Sequence, residues 1–254
     1  MGPGDIVIMD EPATNLHPKA QEELRDFLEQ FGHEHGITFV ISTHCPFFVN
    51  PDRYDALRIV TTENCRSKIE NKYTAVNWQD PDSLKAIKDA LTVRTHVLYG
   101  PDSHVVWVEG ITDYNYLTMF KNLIGNELHK KLRFLPFNGV GRDINQSRDI
   151  LKELSEANLR GSSILCDGDE AGLRMKEAAK GSCFEDLALI SDISGEEKSF
   201  TEIEDLFSED DRDKFGITQK LASLSSTMKS SCKLEDFSAE TINNFNSLLD
   251  YLAN

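Results

Sequence analysis

Positive charge is what this chain is short of. Its 27 lysines and arginines face 43 aspartates and glutamates, a formal net charge of −16. A protein that holds nucleic acid by broad electrostatic attraction recruits a surplus of Lys and Arg, so the balance argues against that mode of binding. It leaves another open, because carboxylates that serve as metal ligands are neutralised by divalent ions which themselves attract phosphate. Cysteine pairing is lacking too: Cys45, Cys65, Cys166, Cys183 and Cys232 are odd in number and scattered, with no Cys-x-x-Cys pair. That argues against a disulfide framework or a structural zinc site. No apolar run is long enough to span a bilayer, and no basic-then-apolar stretch resembles a signal peptide, so a cytoplasmic setting without a membrane partner is expected. There is no internal repeat and no low-complexity tract. What is present is 254 residues with 39% hydrophobic and 28% charged content, enough for one large or two modest folded domains.

The segment "GDIVIMDEPATNLHPKAQEELRDFLEQFGHEHGITFVISTHCPFFV" reads as a β-α-β unit. Ile6 to Met9 form a fully buried strand, Pro18 to Phe31 an amphipathic helix with Leu24, Phe27, Leu28 and Phe31 on one stripe, and Ile37 to Ser42 a second strand. A parallel sheet follows. Asp10 and Glu11 close the first strand and His44 closes the second, and the carboxyl ends of strands in open parallel sheets are where ligands bind.

The ordered combination "IVIMDEP", a helix and "VISTH" resembles the Walker B strand and switch histidine of ABC-type ATPases. The resemblance implies that Asp10 holds Mg²⁺, Glu11 orients the attacking water and His44 contacts the γ-phosphate. The loop "ATNLHP" is more like that of the non-transporter, repair-related members. No Gly-x-x-x-x-Gly-Lys-Ser/Thr loop occurs anywhere in the sequence, and hence no backbone cradle for phosphates. Residues 1–98 are therefore expected to be the C-terminal part of an ABC-type ATPase domain that binds ATP only in the full-length protein. ATP hydrolysis by this chain alone is not expected.

Residues 50–104 form a transition, with a two-strand hairpin expected around Glu63 and Asn64, a short helix in "PDSLKAIKDAL", and a boundary at "LYGPDSH". From 105 strands and helices alternate again. "VVWVEG", "RFLPF", "SSILCD" and "LALISD" read as strands. "TDYNYLTMFKNLIG", "INQSRDILKELSEANL" and "LRMKEAAKG" read as helices, and "FTEIEDLF" as a short acidic helix. A compact parallel α/β domain follows. Glu109 ends the first of these strands, Asp113 lies in the first turn of the next helix, and Asp167 and Asp169 end the strand "ILCDGDEAG". If those two strands are parallel neighbours, the carboxylates share one rim, where like charges repel unless a cation joins them. Hard oxygen ligands select Mg²⁺ or Mn²⁺.

"VVWVEGITD" followed by "ILCDGDEAG" resembles the Toprim domain. An ABC-type ATPase half followed by Toprim resembles the OLD family of nucleases, which serve in bacterial and phage defence. The domains implied are the ATPase part at 1–98, a Toprim nuclease domain with a Rossmann-like parallel sheet at 99–208, and a helical segment at 209–254. The activity implied is metal-dependent endonucleolytic hydrolysis of DNA by two ions. Glu109, Asp113 and Asp167 would hold one; Asp167, Asp169 and Glu204, with Glu202 or Asp205 less surely, would hold the other. Lys220 is the choice for the downstream lysine of that family, with Lys229 and Lys233 behind it. An ABC-type dimer partner is implied for the intact protein. A different class stays open: a non-catalytic DNA-binding or recombination-mediator module whose ATPase fold only dimerises. His33 and His35 in "GHEHG" read as solvated imidazoles. Lys130, Lys131, Arg133, Arg142 and Arg148 form the richest basic stretch, equally suited to a DNA backbone and to an ordinary charged face. The tail "DFSAETINNFNSLLDYLAN" reads as a helix capped by Ser238, with Ile242, Phe245, Leu248, Leu249 and Leu252 on one stripe.

Overall fold

Two β-α-β arrangements set the plan of the molecule. The computed structural model describes residues 2–50, 52–53, 56–63, 66–70, 103–137, 139–156, 161–193, 199–218 and 220–254. They fall into two compact units, one from the described residues up to 70 and one from 103 onward.

In the first unit β1 (Ile6–Asp10) and β2 (Thr38–Ser42) pair in parallel, with Asp10 opposite Ser42, and α1 (Pro18–His35) connects them. α1 opens with proline in its first turn, where a missing N–H costs nothing, and closes on Gly36 in the left-handed region at φ 65°. The strand Ile6–Met9 is not fully buried as expected. Ile6, Ile8 and Val40 lie 67, 78 and 50% exposed, because a two-stranded sheet covers one face only. Phe27 is likewise exposed, and Leu28 carries the buried stripe of α1. An antiparallel hairpin of β3 (Ile59–Glu63) and β4 (Arg66–Glu70) follows, as the alternation predicts. Asn64 in its turn, the helix expected in "PDSLKAIKDAL" and the boundary residues of "LYGPDSH" before Ser103 lie outside the described residues.

The second unit is built on a four-stranded parallel sheet, β5 (His104–Val108), β6 (Leu132–Pro136), β7 (Ser163–Cys166) and β8 (Ala188–Leu189), in the order β6-β5-β7-β8. The chain moves outward from β5 to β6 through α2 (Ile111–Ile124), then returns across β5 to β7 through α3 (Ile144–Glu156) and on through α4 (Glu170–Ala179). Right-handed crossovers running in opposite directions place their helices on opposite faces. The reversal between β5 and β7 is a topological switch point, where α/β sheets open a crevice at the carboxyl ends of their strands. β5 and β7 are apolar because both faces are covered: Val106, Trp107, Val108, Ile164 and Cys166 are almost wholly inaccessible.

α2 is buried from Thr112 to Lys121, for it lies between the sheet and two C-terminal helices, α6 (Ala222–Ser231) and α7 (Ala239–Ala253). A helix covered on all sides needs apolar or paired residues all round. Phe120 stacks on Phe245 of α7 with ring centroids 3.8 Å apart, and Phe207 and Phe237 close the cluster. The tail thus packs on this unit, with Phe245, Leu248, Leu249 and Leu252 facing in. "LALISD" is strand for two residues only, then a 3-10 turn, Ile190–Ile193. Within the helical segment expected at 209–254, the polar α5 (Glu209–Phe215) and α6 precede the capped tail helix.

Ser238 caps α7 by accepting from the Thr241 N–H at 3.2 Å, and Asp211 of α5 ties in by accepting from the Ser238 N–H at 2.9 Å. Ser238→Ala is expected to cost about 1 kcal/mol, read as a lower urea midpoint with an unchanged m-value.

Candidate active site

Glu109 follows β5 directly, and its neighbour Gly110 caps α2. Asp113, three residues on, turns back to accept from the Gly110 N–H at 2.7 Å, which orients its carboxylate toward the end of β5. Asp167 follows β7, and Asp169 is the N-cap of α4, accepting from the Gly172 N–H at 2.8 Å. Because β5 and β7 are hydrogen-bonded parallel neighbours, Glu109 and Asp167 share one rim at the switch point. Two glycines let the Asp-Gly-Asp turn close. A Cβ on Gly172 would lie 1.9 Å from the Asp167 carbonyl oxygen, and one on Gly168 would lie 2.8 Å from the Ser191 side chain.

Glu204 reaches the same rim from the 3-10 turn Ile203–Leu206, which replaces the expected acidic helix. Ile203, Leu206 and Phe207 are buried around it, and the Gly168 N–H donates to the Thr201 carbonyl at 2.7 Å, stitching this segment to the Asp-Gly-Asp turn. The Arg212 Nε donates to the Glu204 carbonyl at 3.0 Å. The backbone of Glu204 is held while its carboxylate, in a residue 6% exposed, meets no donor from another of the described residues. Glu202 is exposed, though its charge acts on Asp167 and Glu204, and Asp205 is engaged by the N–H groups of Thr201 and Glu202 and by Arg212.

Lys220 enters from the loop between α5 and α6. Its ammonium pairs with Asp167 Oδ2 and lies 4.0 Å from Asp113 Oδ1. Lys229 instead sits over the Tyr114 ring, and Lys233 stands by Glu235. In the basic stretch, Lys130 pairs with Glu127 and Arg133 donates to the carbonyls of Lys130 and Leu132.

The electrostatics follow from this crowding. Burial pushes Glu109 up to about 7, Asp167, Asp113 and Asp169 adding to the effect and Lys220 opposing it. Burial likewise raises Asp113 to about 7 against the pull of Lys220. Glu204 rises to about 7, chiefly by burial. Asp167 is raised by burial despite Lys220. For Lys220 burial works against the charged form, but Asp113 and Asp167 outweigh it and hold the ammonium charged well beyond its ordinary range. Tyr116, one turn after Asp113, is a neighbour the sequence reading missed. Its buried hydroxyl has no hydrogen-bond partner among the described residues, and burial with the charges of Glu204 and Asp113 pushes it up.

Among the described residues, buried oxygens of Glu109, Asp113, Asp167 and Glu204 find no hydrogen-bond donor. Orphaned carboxylate oxygens at a strand-end crevice, with no sulfur or imidazole in the set, fit the hard-cation chemistry of Mg²⁺ or Mn²⁺. Among the described residues no three His, Cys, Asp or Glu side chains are drawn together tightly enough to hold an ion as they stand. The cation between the carboxylates is Lys220.

The first unit brings its three predicted residues together as well. Asp10 accepts from the Ser42 hydroxyl. Glu11, with φ 46°, accepts from the Thr43 hydroxyl at 3.1 Å and from the His44 N–H at 3.0 Å. His44 Nε2 lies 3.8 Å from Glu11 Oε1, on a side chain that is otherwise open to solvent. No helix among the described residues is long and apolar enough to cross a membrane.

Residues 1–50 match the family described as "AAA domain, putative AbiEii toxin, Type IV TA system". A curated relative, the OLD nuclease of Thermus scotoductus (strain ATCC 700910 / SA-01), is 28% identical over 114 residues, which is 42% of this chain and 21% of that protein. The match thus spans about a fifth of the relative's length. The chain is an α/β protein whose start matches an AAA-type ATPase domain, and part of it is similar to an OLD nuclease.

Proposed function

We propose that the second unit is a Toprim-type, metal-dependent DNA endonuclease centre, coupled in the intact protein to the ATPase fold of the first and serving in bacterial or phage defence. The observation that carries this is the rim itself: carboxylates after β5, in α2, after β7 and in the turn after Phe200, buried at a switch point with oxygens that no donor among the described residues satisfies. The similarity to an OLD nuclease supports the substrate, DNA. Glu109, Asp113 and Asp167 would hold one Mg²⁺ or Mn²⁺, and Asp167, Asp169 and Glu204 a second. Ions held there would supply a lowered pKa for an attacking water and positive charge for the leaving oxygen. Lys220 would donate to a non-bridging oxygen of the scissile phosphate, and Asp169, which caps α4, keeps that helix end in register with the rim. Asp10, Glu11 and His44 would form the nucleotide-facing edge of the first unit.

The alternative, a non-catalytic DNA-binding or recombination-mediator module with a dimerising ATPase fold, is favoured by one observation: Lys220, not a ready three-ligand cage, holds the carboxylates. Supercoiled plasmid separates the two. Nicked or linear product with Mn²⁺ or Mg²⁺ is expected, and it should vanish with chelator and in Glu109→Ala and Asp169→Ala. Intact plasmid throughout, from folded protein that binds DNA without metal, favours the alternative.

A further inference from the structure

We propose that Lys220 is the resident counter-cation of the carboxylate rim and leaves it when a divalent ion enters, so that lysine and metal compete for Asp167. The inference rests on the metal-binding reading above and adds a competition that the reading does not require. Among the described residues, both ion pairs made by Asp113 and Asp167 go to this one ammonium. Those two residues are 3 and 4% exposed; among the described residues Asp167 Oδ1 meets no donor, and Asp113 Oδ1 has only the 4.0 Å approach of this ammonium. A single positive charge cannot neutralise so many carboxylates, which leaves the rim short of positive charge even with Lys220 in place.

The lysine is built to depart. It stands in a loop between two helices, and its side chain is 33% exposed at one end of a flexible four-carbon stem. It can swing to solvent without repacking α5 or α6. While it stays, its ammonium takes the place beside Asp167 and Asp113 that a metal ion would need. Once it has swung outward, its ammonium is at the mouth of the crevice, where a phosphate oxygen would meet it.

The test reads metal binding and lysine exposure, not cleavage. Mn²⁺ titrated calorimetrically into chelator-treated chain is expected to bind Lys220→Met about fivefold more tightly than wild type, the equivalent of losing one partly exposed ion-pair competitor. Lys220→Arg, which keeps the charge, should stay close to wild type. In the wild-type chain, acetylation of Lys220 measured by mass spectrometry should rise several-fold on adding Mn²⁺, with the exposed Lys19 as internal standard. Wild type that binds Mn²⁺ while Lys220 labelling stays level or falls, or a Lys220→Met chain with unchanged affinity, overturns the exchange and leaves the metal centre standing. A folded wild type that binds no Mn²⁺ overturns both.

Discussion

Asp167→Asn is expected to lower the single-turnover nicking rate by about 10³-fold while the metal-free protein melts within a few degrees of wild type. The substitution keeps the shape and removes one charge. Asp167 is the hub of the rim. Its charge acts on Glu109, Asp113 and Glu204, and it forms the ion pair with Lys220. It is also the ligand that both proposed ions would share. Loss of one ion's charge stabilisation removes several kcal/mol from the transition state, and about 4 kcal/mol is a factor of 10³. Stability should change little, because a buried carboxylate among its own kind contributes repulsion as well as an ion pair. The control is the melting shift on adding Mn²⁺, which Asp167→Asn should lose along with cleavage. A variant that stays folded and cuts at the wild-type rate removes Asp167 from the metal centre.

The two strand-end motifs were legible because each is short and local. In "VVWVEG" and "ILCDGDEAG" an apolar run stops on an acid, and the parallel pairing of β5 with β7 brings these acids to one rim. Glu204 was legible only through the family pattern. Nothing local distinguishes it from the exposed Glu202 two residues earlier, and its burial depends on Ile203, Leu206 and Phe207 packing beneath α2 and α7. Lys220 lies beyond local reading altogether, 53 residues from the Asp167 it pairs with. α5, "EDDRDKF", fell inside the segment expected to be helical but was not delimited, because a seven-residue polar helix has no apolar stripe. Its signals were Ser208 as a cap and Gly216 as a stop, both visible in the sequence and neither sufficient alone. The burial expected of β1 failed for a different reason. An apolar parallel strand shows that both faces can be covered, and in the described residues only one is.

The pH dependence of the chelated protein gives the second large effect. Glu109, Asp113 and Glu204 titrate near 7 in the folded chain, against ordinary values of 4.5, 3.8 and 4.5. Their folded values are raised, so between about pH 4 and 7 the folded state binds more protons than the unfolded. Stability must therefore fall as pH rises through that window and level off above it. Because the three interact, the loss belongs to the group. A tenfold difference in proton affinity between folded and unfolded chain is worth about 1.4 kcal/mol, so even a fraction of the combined rise is a few kcal/mol, roughly 5–10 °C in melting temperature between pH 5 and pH 8. His104 acts in the opposite sense: burial lowers its value, so its contribution is lost as pH falls. Glu204→Gln separates the two effects. In chelator it should melt above wild type at pH 8, where Glu204 is ionised, and level with it at pH 5, where the carboxyl is already protonated. Mn²⁺ at pH 8 should restore the wild type by binding only the folded state, and restore Glu204→Gln less. Chelated wild type that melts higher at pH 8 than at pH 5, with no gain in Glu204→Gln, would mean that the rim carboxylates are solvated and do not form a strained site waiting for a cation.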